Sequence, residues 1–175
     1  MGQMYKNNIE EYLSVAYEEE IKPDYERLEE KARRLSMSGY NWEAANKYRE
    51  AGNKLLDKGQ NERAISVFRK SAQLYKDSEY YWEASEQHVK VAKILEKSYR
   101  LREAAREYEE KGKLLAEKEE YLWEAATAYD KAGGLYEKVD DLANAKGCYT
   151  KAMELFNLGG YEFESNKIRE RLKKL

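Results

Sequence analysis

The 175-residue chain has one proline, one cysteine and one histidine. A single proline leaves long stretches free of the residue that breaks helices. The lone Cys148 excludes an intramolecular disulfide framework and fits a reducing compartment. With His88 as the only histidine, the commonest general base and metal ligand is almost absent. Net charge is lacking too: 32 Lys and Arg stand against 34 Asp and Glu, so the chain carries -2 and has no general pull toward polyanions. Nucleic acid is therefore not an expected partner. No stretch approaches the roughly 20 apolar residues of a membrane span, and Met1-Gly2-Gln3-Met4-Tyr5-Lys6 has no apolar run of the signal-peptide kind. The expectation is a cytoplasmic protein without stable membrane insertion. No Pro- or Ser-rich linker divides it, so residues 1–175 are expected to form a single helical-repeat domain.

Charge and rings are abundant. Charged residues make up 38% and hydrophobic ones 42%, with 16 tyrosines and 3 tryptophans, a composition of long helices with solvated outer faces and bulky buried rings. Ala44, Ala64, Ala84, Ala104, Ala125 and Ala145 recur at spacings of 20, 20, 20, 21 and 20. Four residues after each stands Tyr48, Phe68, His88, Tyr108, Tyr129 or Tyr149. Eight after it comes Gly52, Ala72, Ala92, Gly112, Gly133 or Met153, and eleven after it Leu55, Tyr75, Leu95, Leu115, Tyr136 or Phe156. Offsets of 0, 4, 8 and 11 lie on one stripe of an α-helix, so each unit predicts one helix and a short turn. The small residues at 0 and 8 let a neighbouring helix approach, and the ring at 4 fills the space between them.

A second period lies over the first. Tyr40-Asn41-Trp42-Glu43-Ala44, Tyr80-Tyr81-Trp82-Glu83-Ala84 and Tyr121-Leu122-Trp123-Glu124-Ala125 mark alternate units, with Tyr161-Glu162-Phe163-Glu164-Ser165 as a fourth copy. The repeating unit is thus a helical hairpin, and the fold class is all-α: a right-handed α-solenoid of about nine antiparallel helices. The hairpins are expected at 40–79, 80–120 and 121–160, with an atypical hairpin at 1–39 and a capping helix at 161–175. Turn signals agree: Gly59 and Gly160 as helix stops, Asp140 and Asp141 as a capping start, Pro23 in a first turn. Tyr5, Ile9, Tyr12, Leu13 and Ala16 make the stripe of a first helix.

The pattern Ala44/Tyr48/Ala51, Ala64/Phe68/Ser71, Ala125/Tyr129/Ala132 and Ala145/Tyr149/Ala152 resembles the second-helix signature of tetratricopeptide repeats, although their period of 34 is not met. Hairpins of about 40 residues with this signature resemble the soluble attachment proteins, the SNAP family. The stretch Ala44-Ala45-Asn46-Lys47-Tyr48-Arg49-Glu50-Ala51-Gly52-Asn53-Lys54-Leu55, followed by Glu62-Arg63-Ala64-Ile65, carries most of the likeness. The resemblance implies a TPR-like, non-enzymatic adaptor that couples a partner complex to an ATPase of membrane-trafficking machinery. Family members are longer, with an apolar membrane-touching loop and an acidic, leucine-containing tail. Here Ile21-Lys22-Pro23-Asp24 is not an apolar loop, and Arg169 to Leu175 is basic.

The residues themselves point to binding more than to catalysis. His88 stands in the aromatic column with Phe68 and Tyr108, so it is expected to pack, and His88→Phe is expected to stabilise. Cys148 has neighbouring residues that suit a packed or solvent-edge thiol, and no catalytic, cofactor or metal site is expected. Trp42, Trp82 and Trp123 are expected to pack between successive hairpins, or else to form an aromatic ladder suited to a peptide or helix. If their helices line an inner face, Asn46, Arg49, Glu86, Thr127 and Asp130 are the expected contacts with a protein or peptide partner. The alternative is self-assembly, a homo-oligomer stacked through terminal helices by Ile9, Leu13, Ile168 and Leu172. Basic residues at the end, Lys167 to Lys174, read as a solubilising helix end.

Overall fold

The structure, a computed structural model, describes residues 22–175. Eight α-helices follow one another: α1 Asp24–Met37, α2 Asn41–Asp57, α3 Asn61–Asp77, α4 Tyr81–Lys97, α5 Leu101–Leu115, α6 Leu122–Lys138, α7 Leu142–Leu158 and α8 Glu162–Leu172. A short 3-10 turn, Glu119–Tyr121, precedes α6. Each helix packs mainly on the one before it and the one after it, the connectivity of an α-solenoid. The ninth predicted helix, on Tyr5 to Ala16, lies outside the described residues, as do Ile9 and Leu13.

The 20-residue period has a mechanical origin in the turns. After α1, Gly39 N–H donates to Ser36 O and Tyr40 N–H to Leu35 O, the paired bonds of a Schellman motif. The same Tyr40 then accepts from Ala44 N–H through its own carbonyl and opens α2. One residue therefore closes a helix and starts the next, and 17 helical residues plus three turn residues make up the repeat. Gln60, Tyr80, Arg100, Asp141 and Tyr161 do the same at five later junctions. The α5–α6 junction is the exception, because the extra residue between Ala104 and Ala125 is taken up in the 3-10 turn.

The column offsets mark how consecutive helices lock. Phe68 of α3 sits against Gly52 of α2, Tyr129 of α6 against Gly112 of α5, and Tyr149 of α7 against Gly133 of α6. A Cβ at any of these glycines would meet the facing ring at 2.8 Å or less. Burying such a ring contributes about 1.5–3 kcal/mol. A single cluster of buried residues runs from Ala32 to Ile168 and includes Tyr48, Phe68, Tyr129 and Tyr149. Ion pairs between like helices of successive hairpins overlie it: Arg63 with Glu29, Arg102 with Asp141, Lys131 with Glu96. Exposed pairs of this kind contribute about 0–1 kcal/mol each, so the rings hold the stack and the pairs trim its register.

The middle turn residue has a left-handed backbone at every Schellman junction. Gly39, Gly59 and Gly160 take it without cost, whereas Glu79, Tyr99 and Asp140 hold φ of 63°, 55° and 56°. Tyr99 is 88% exposed and loses no packing on truncation. Tyr99→Gly is therefore expected to raise stability by about 0.5–1 kcal/mol, read as a shift of the urea midpoint at unchanged slope.

Candidate interaction surface

The Tyr-x-Trp marker of alternate helices acquires its meaning between hairpins. Trp42 meets the ring of Tyr80 with centroids 6.0 Å apart, Trp82 meets Tyr121 at 5.6 Å, and Trp123 meets Tyr161 at 4.8 Å. Each tryptophan packs on the tyrosine that opens the next equivalent helix, tilted for Trp42 and Trp82 and edge-on for Trp123, so the motif needs both rings at that spacing. The expected packing between successive hairpins is present. The ladder is still open to solvent: Trp42, Trp82 and Trp123 keep 44%, 41% and 37% of their surface. Phe163, which takes the tryptophan's place on α8, is 78% exposed.

The five residues expected to bind a partner follow the tryptophans on the same helices. Asn46 Nδ2 donates to Trp42 O at 3.0 Å, and its Oδ1 accepts from Tyr75 OH and from Arg49 Nη2. Glu86 lies 3.6 Å from Lys111, and exposed Thr127 donates to Glu124 O. Asp130 accepts from Arg171 Nη1 at 2.7 Å; burial pushes its carboxyl up, against the opposing pull of Arg171 and Lys167. The positions recur at equivalent places on α2, α4 and α6. Asn46 and Asp130 spend their polar atoms inside the chain, while Thr127 faces water.

A polar bridge crosses α3, α4 and α5. Glu107 is 5% exposed; its Oε1 accepts from Arg69 Nε at 2.8 Å, and its Oε2 lies 2.8 Å from His88 Nδ1. Burial raises the Glu107 carboxyl, but the hydrogen bonds from His88 and Arg69 outweigh it and hold the group below its ordinary value. A cavity of about 530 Å³ opens beside the bridge, lined by Gln73, Lys76 and Lys113 among others. His88 does occupy the aromatic column, yet its ring nitrogen serves Glu107, which corrects the expectation that phenylalanine would improve the site. The sequence carried a signal for Glu107: it stands three residues after Ala104, the register of buried Val67, Ala128 and Cys148. Cys148 itself is buried, and desolvation pushes its thiol up to about 12, which keeps it protonated and unreactive at neutral pH.

The family model for the soluble NSF attachment protein, SNAP, matches residues 26–120, more than half of the chain. This chain belongs to the SNAP family. The match stops at the irregular turn before α6, although the repeat continues through α7. Among solved structures, BtubC (BKLC) from P. vanneervenii is similar at 13% identity and a TM-score of 0.52, covering 86% of this chain and 62% of that one. MamA 41-end from Desulfovibrio magneticus RS-1 is similar at 17% identity, a TM-score of 0.40 and coverage of 88% and 94%. TPR-like repeats of a putative kinesin light chain from Podosopora anserina are similar at 14% identity, a TM-score of 0.34 and coverage of 85% and 92%. The SNAP-like chain thus spans about 62% of the length of the BtubC structure, and at this identity the likeness concerns the fold. Comparison with curated protein sequences returns no significant match.

For this SNAP-family chain, the terminal helix differs from expectation. Ile168 is 2% exposed and Leu172 packs on the core, so the stripe assigned to self-assembly is covered by the chain itself. Arg169 and Lys173, which take the place of the ring in α8 and that of the small residue just past it, are exposed. The basic end is partly employed within the fold: Arg171 holds Asp130 and lies over the Tyr149 ring at 5.1 Å. No described helix is long and apolar enough to cross a membrane.

Removing His88 leaves one oxygen of buried Glu107 without its partner. His88→Phe is expected to lower stability by about 1–3 kcal/mol in thermal or urea unfolding at neutral pH. Because the folded-state Glu107 value is depressed, its contribution is present above the ordinary carboxylate range and fades as pH falls through the depressed value. Glu107→Gln flattens that acid limb of the stability profile.

Proposed function

We propose that this SNAP-family chain is a non-catalytic adaptor, holding a helical or extended segment of a protein partner along the face of α2, α4 and α6. The observation that carries the reading is the recurrence of Asn46, Glu86 and Thr127, with Arg49 and Asp130, at equivalent places on the three tryptophan-bearing helices. A solenoid that repeats one surface position at each hairpin presents a row, and rows suit partners with their own repeat, such as helices or strands. The rigidity of the interlocked core favours this, since a preformed surface loses little entropy on binding. The family's name supplies the finer proposal: coupling of the bound complex to an NSF-type ATPase in membrane trafficking, within the cytoplasm.

The test uses the purified chain, the host's NSF-type ATPase and its membrane-fusion complex in co-sedimentation. Wild type is expected to bring the ATPase onto the complex. The double substitution Glu86→Lys and Thr127→Lys, on exposed or half-buried positions, is expected to weaken recruitment about tenfold or more through charge reversal and bulk. Absence of recruitment by wild type overturns the coupling; full recruitment by the double variant overturns the assigned face.

A further inference from the structure

Many carboxylates of this fold are spent on partners. Glu29, Glu62, Glu96, Glu103, Glu107, Asp130 and Asp141 are each paired with an arginine or lysine. Others, such as Asp57, Glu117 and Glu154, form no ion pair among the described residues, and the carboxylates beside the aromatic ladder belong with these; what sets the ladder group apart is the rings beside it. Glu43, Glu83 and Glu124 each follow a ladder tryptophan, Glu79 and Glu120 lie in the neighbouring turns, and none of the five forms an ion pair among the described residues. Their places in or near helix first turns are favoured by the helix dipole; Glu43, Glu79 and Glu120 are exposed, and Glu83 and Glu124 half-buried.

The middle rung shows what this combination offers. Glu79, Trp82, Glu83, Glu120, Tyr80 and Tyr121 line one groove of about 310 Å³, together with Lys118. Three carboxylates against one ammonium leave the groove with two negative charges. Aromatic faces and free carboxylates in one groove form the environment in which a cation is held twice, by the ring quadrupole and by charge. The chain already uses these rings so: Lys118 Nζ lies 4.8 Å from the Tyr81 ring centre and Lys111 Nζ 5.7 Å from that of Trp82. The rung on either side repeats the chemistry, with Trp42, Tyr80 and Glu43 before it and Trp123, Tyr161 and Glu124 after it.

We propose that this aromatic edge is a docking site for a basic, arginine-containing extended segment of a protein partner, one cationic side chain seated at each rung. Arginine suits it better than lysine, because a planar guanidinium stacks on a ring while its edge donates two hydrogen bonds to a carboxylate. Anionic membranes and nucleic acids carry the wrong sign for this edge. The edge adjoins the face assigned to the adaptor's partner, since Trp82 and Glu86 lie one turn apart on α4 and both approach Lys111, and the proposal stands without the ATPase coupling.

All three tryptophans of the chain lie on this edge, so its fluorescence is a built-in reporter. The full chain is titrated with an arginine-rich synthetic peptide, with a glutamine-substituted peptide of the same length, and with a glutamate-rich one. The arginine peptide is expected to shift tryptophan emission and to bind about tenfold or more tightly than the other two, with affinity falling as salt rises. Two triple variants separate site from net charge, each first checked for unchanged helicity. Glu79→Gln, Glu83→Gln and Glu120→Gln together are expected to weaken binding about tenfold or more. Asp57→Asn, Glu117→Gln and Glu154→Gln, which remove the same charge elsewhere, are expected to leave it unchanged. Equal binding of the arginine and glutamine peptides overturns the proposal, as does retention of affinity in the first variant or an equal loss in the second.

Discussion

The seating of an aromatic ring in the notch of the preceding helix is the constraint on which the rest of the structure depends. A notch needs a residue without bulk, and the ring that enters it needs a position four residues after the column alanine of the following helix. Gly52 with Phe68, Gly112 with Tyr129 and Gly133 with Tyr149 satisfy both demands. Because the contact recurs between consecutive helices, one short pattern suffices to build the stack, and every other surface position is released for charge. The interlock also has a visible limit. Met153 fills the small-residue place on α7, Arg169 the ring place on α8, and Lys173, just past α8, the small-residue place that follows.

The turns convert this local contact into a fixed period. A Schellman closure whose last residue opens the next helix allows three turn residues and no slack. That rigidity is kept even where glycine is missing, at Glu79, Tyr99 and Asp140, which shows that the geometry of the stack overrides the backbone preference of the residue. Where one residue is added, before α6, the closure changes to a 3-10 turn and the columns resume in register beyond it. The Tyr-x-Trp marker is the same logic one level up, linking each hairpin to the next along an edge that remains half open.

What the sequence disclosed follows from this division. Spacings of 20 residues and the columns at 0, 4, 8 and 11 are local, so the succession of helices from Asp24 onward, the turn positions and the buried rings could be read directly; Asp141 as a helix cap was likewise visible and accepts from Asn144 N–H. Contacts between residues 35 to 41 apart, such as Lys131 with Glu96 and Arg171 with Asp130, depend on how one hairpin is set over another, which no local pattern encodes. For that reason the Arg69–Glu107–His88 bridge was missed, and His88 was assigned to packing alone. Ile168 was misassigned for a related cause: its apolar stripe was legible, but the side of the helix already occupied by α7 was not. The partner-binding face rests on equivalence of position, since Asn46 and Asp130 prove to be tied within the chain.

A double-mutant cycle between Gly52 and Phe68 tests the interlock most directly. A Cβ at position 52 would lie 2.5 Å from Cε1 of Phe68, an atom that leucine lacks. Gly52→Ala in the wild-type background is predicted to cost about 1–3 kcal/mol through overpacking, despite the better helix propensity of alanine. In a Phe68→Leu background the same substitution is predicted to be neutral or stabilising, giving a coupling of about 1 kcal/mol or more. Additive effects of the two substitutions would contradict the account.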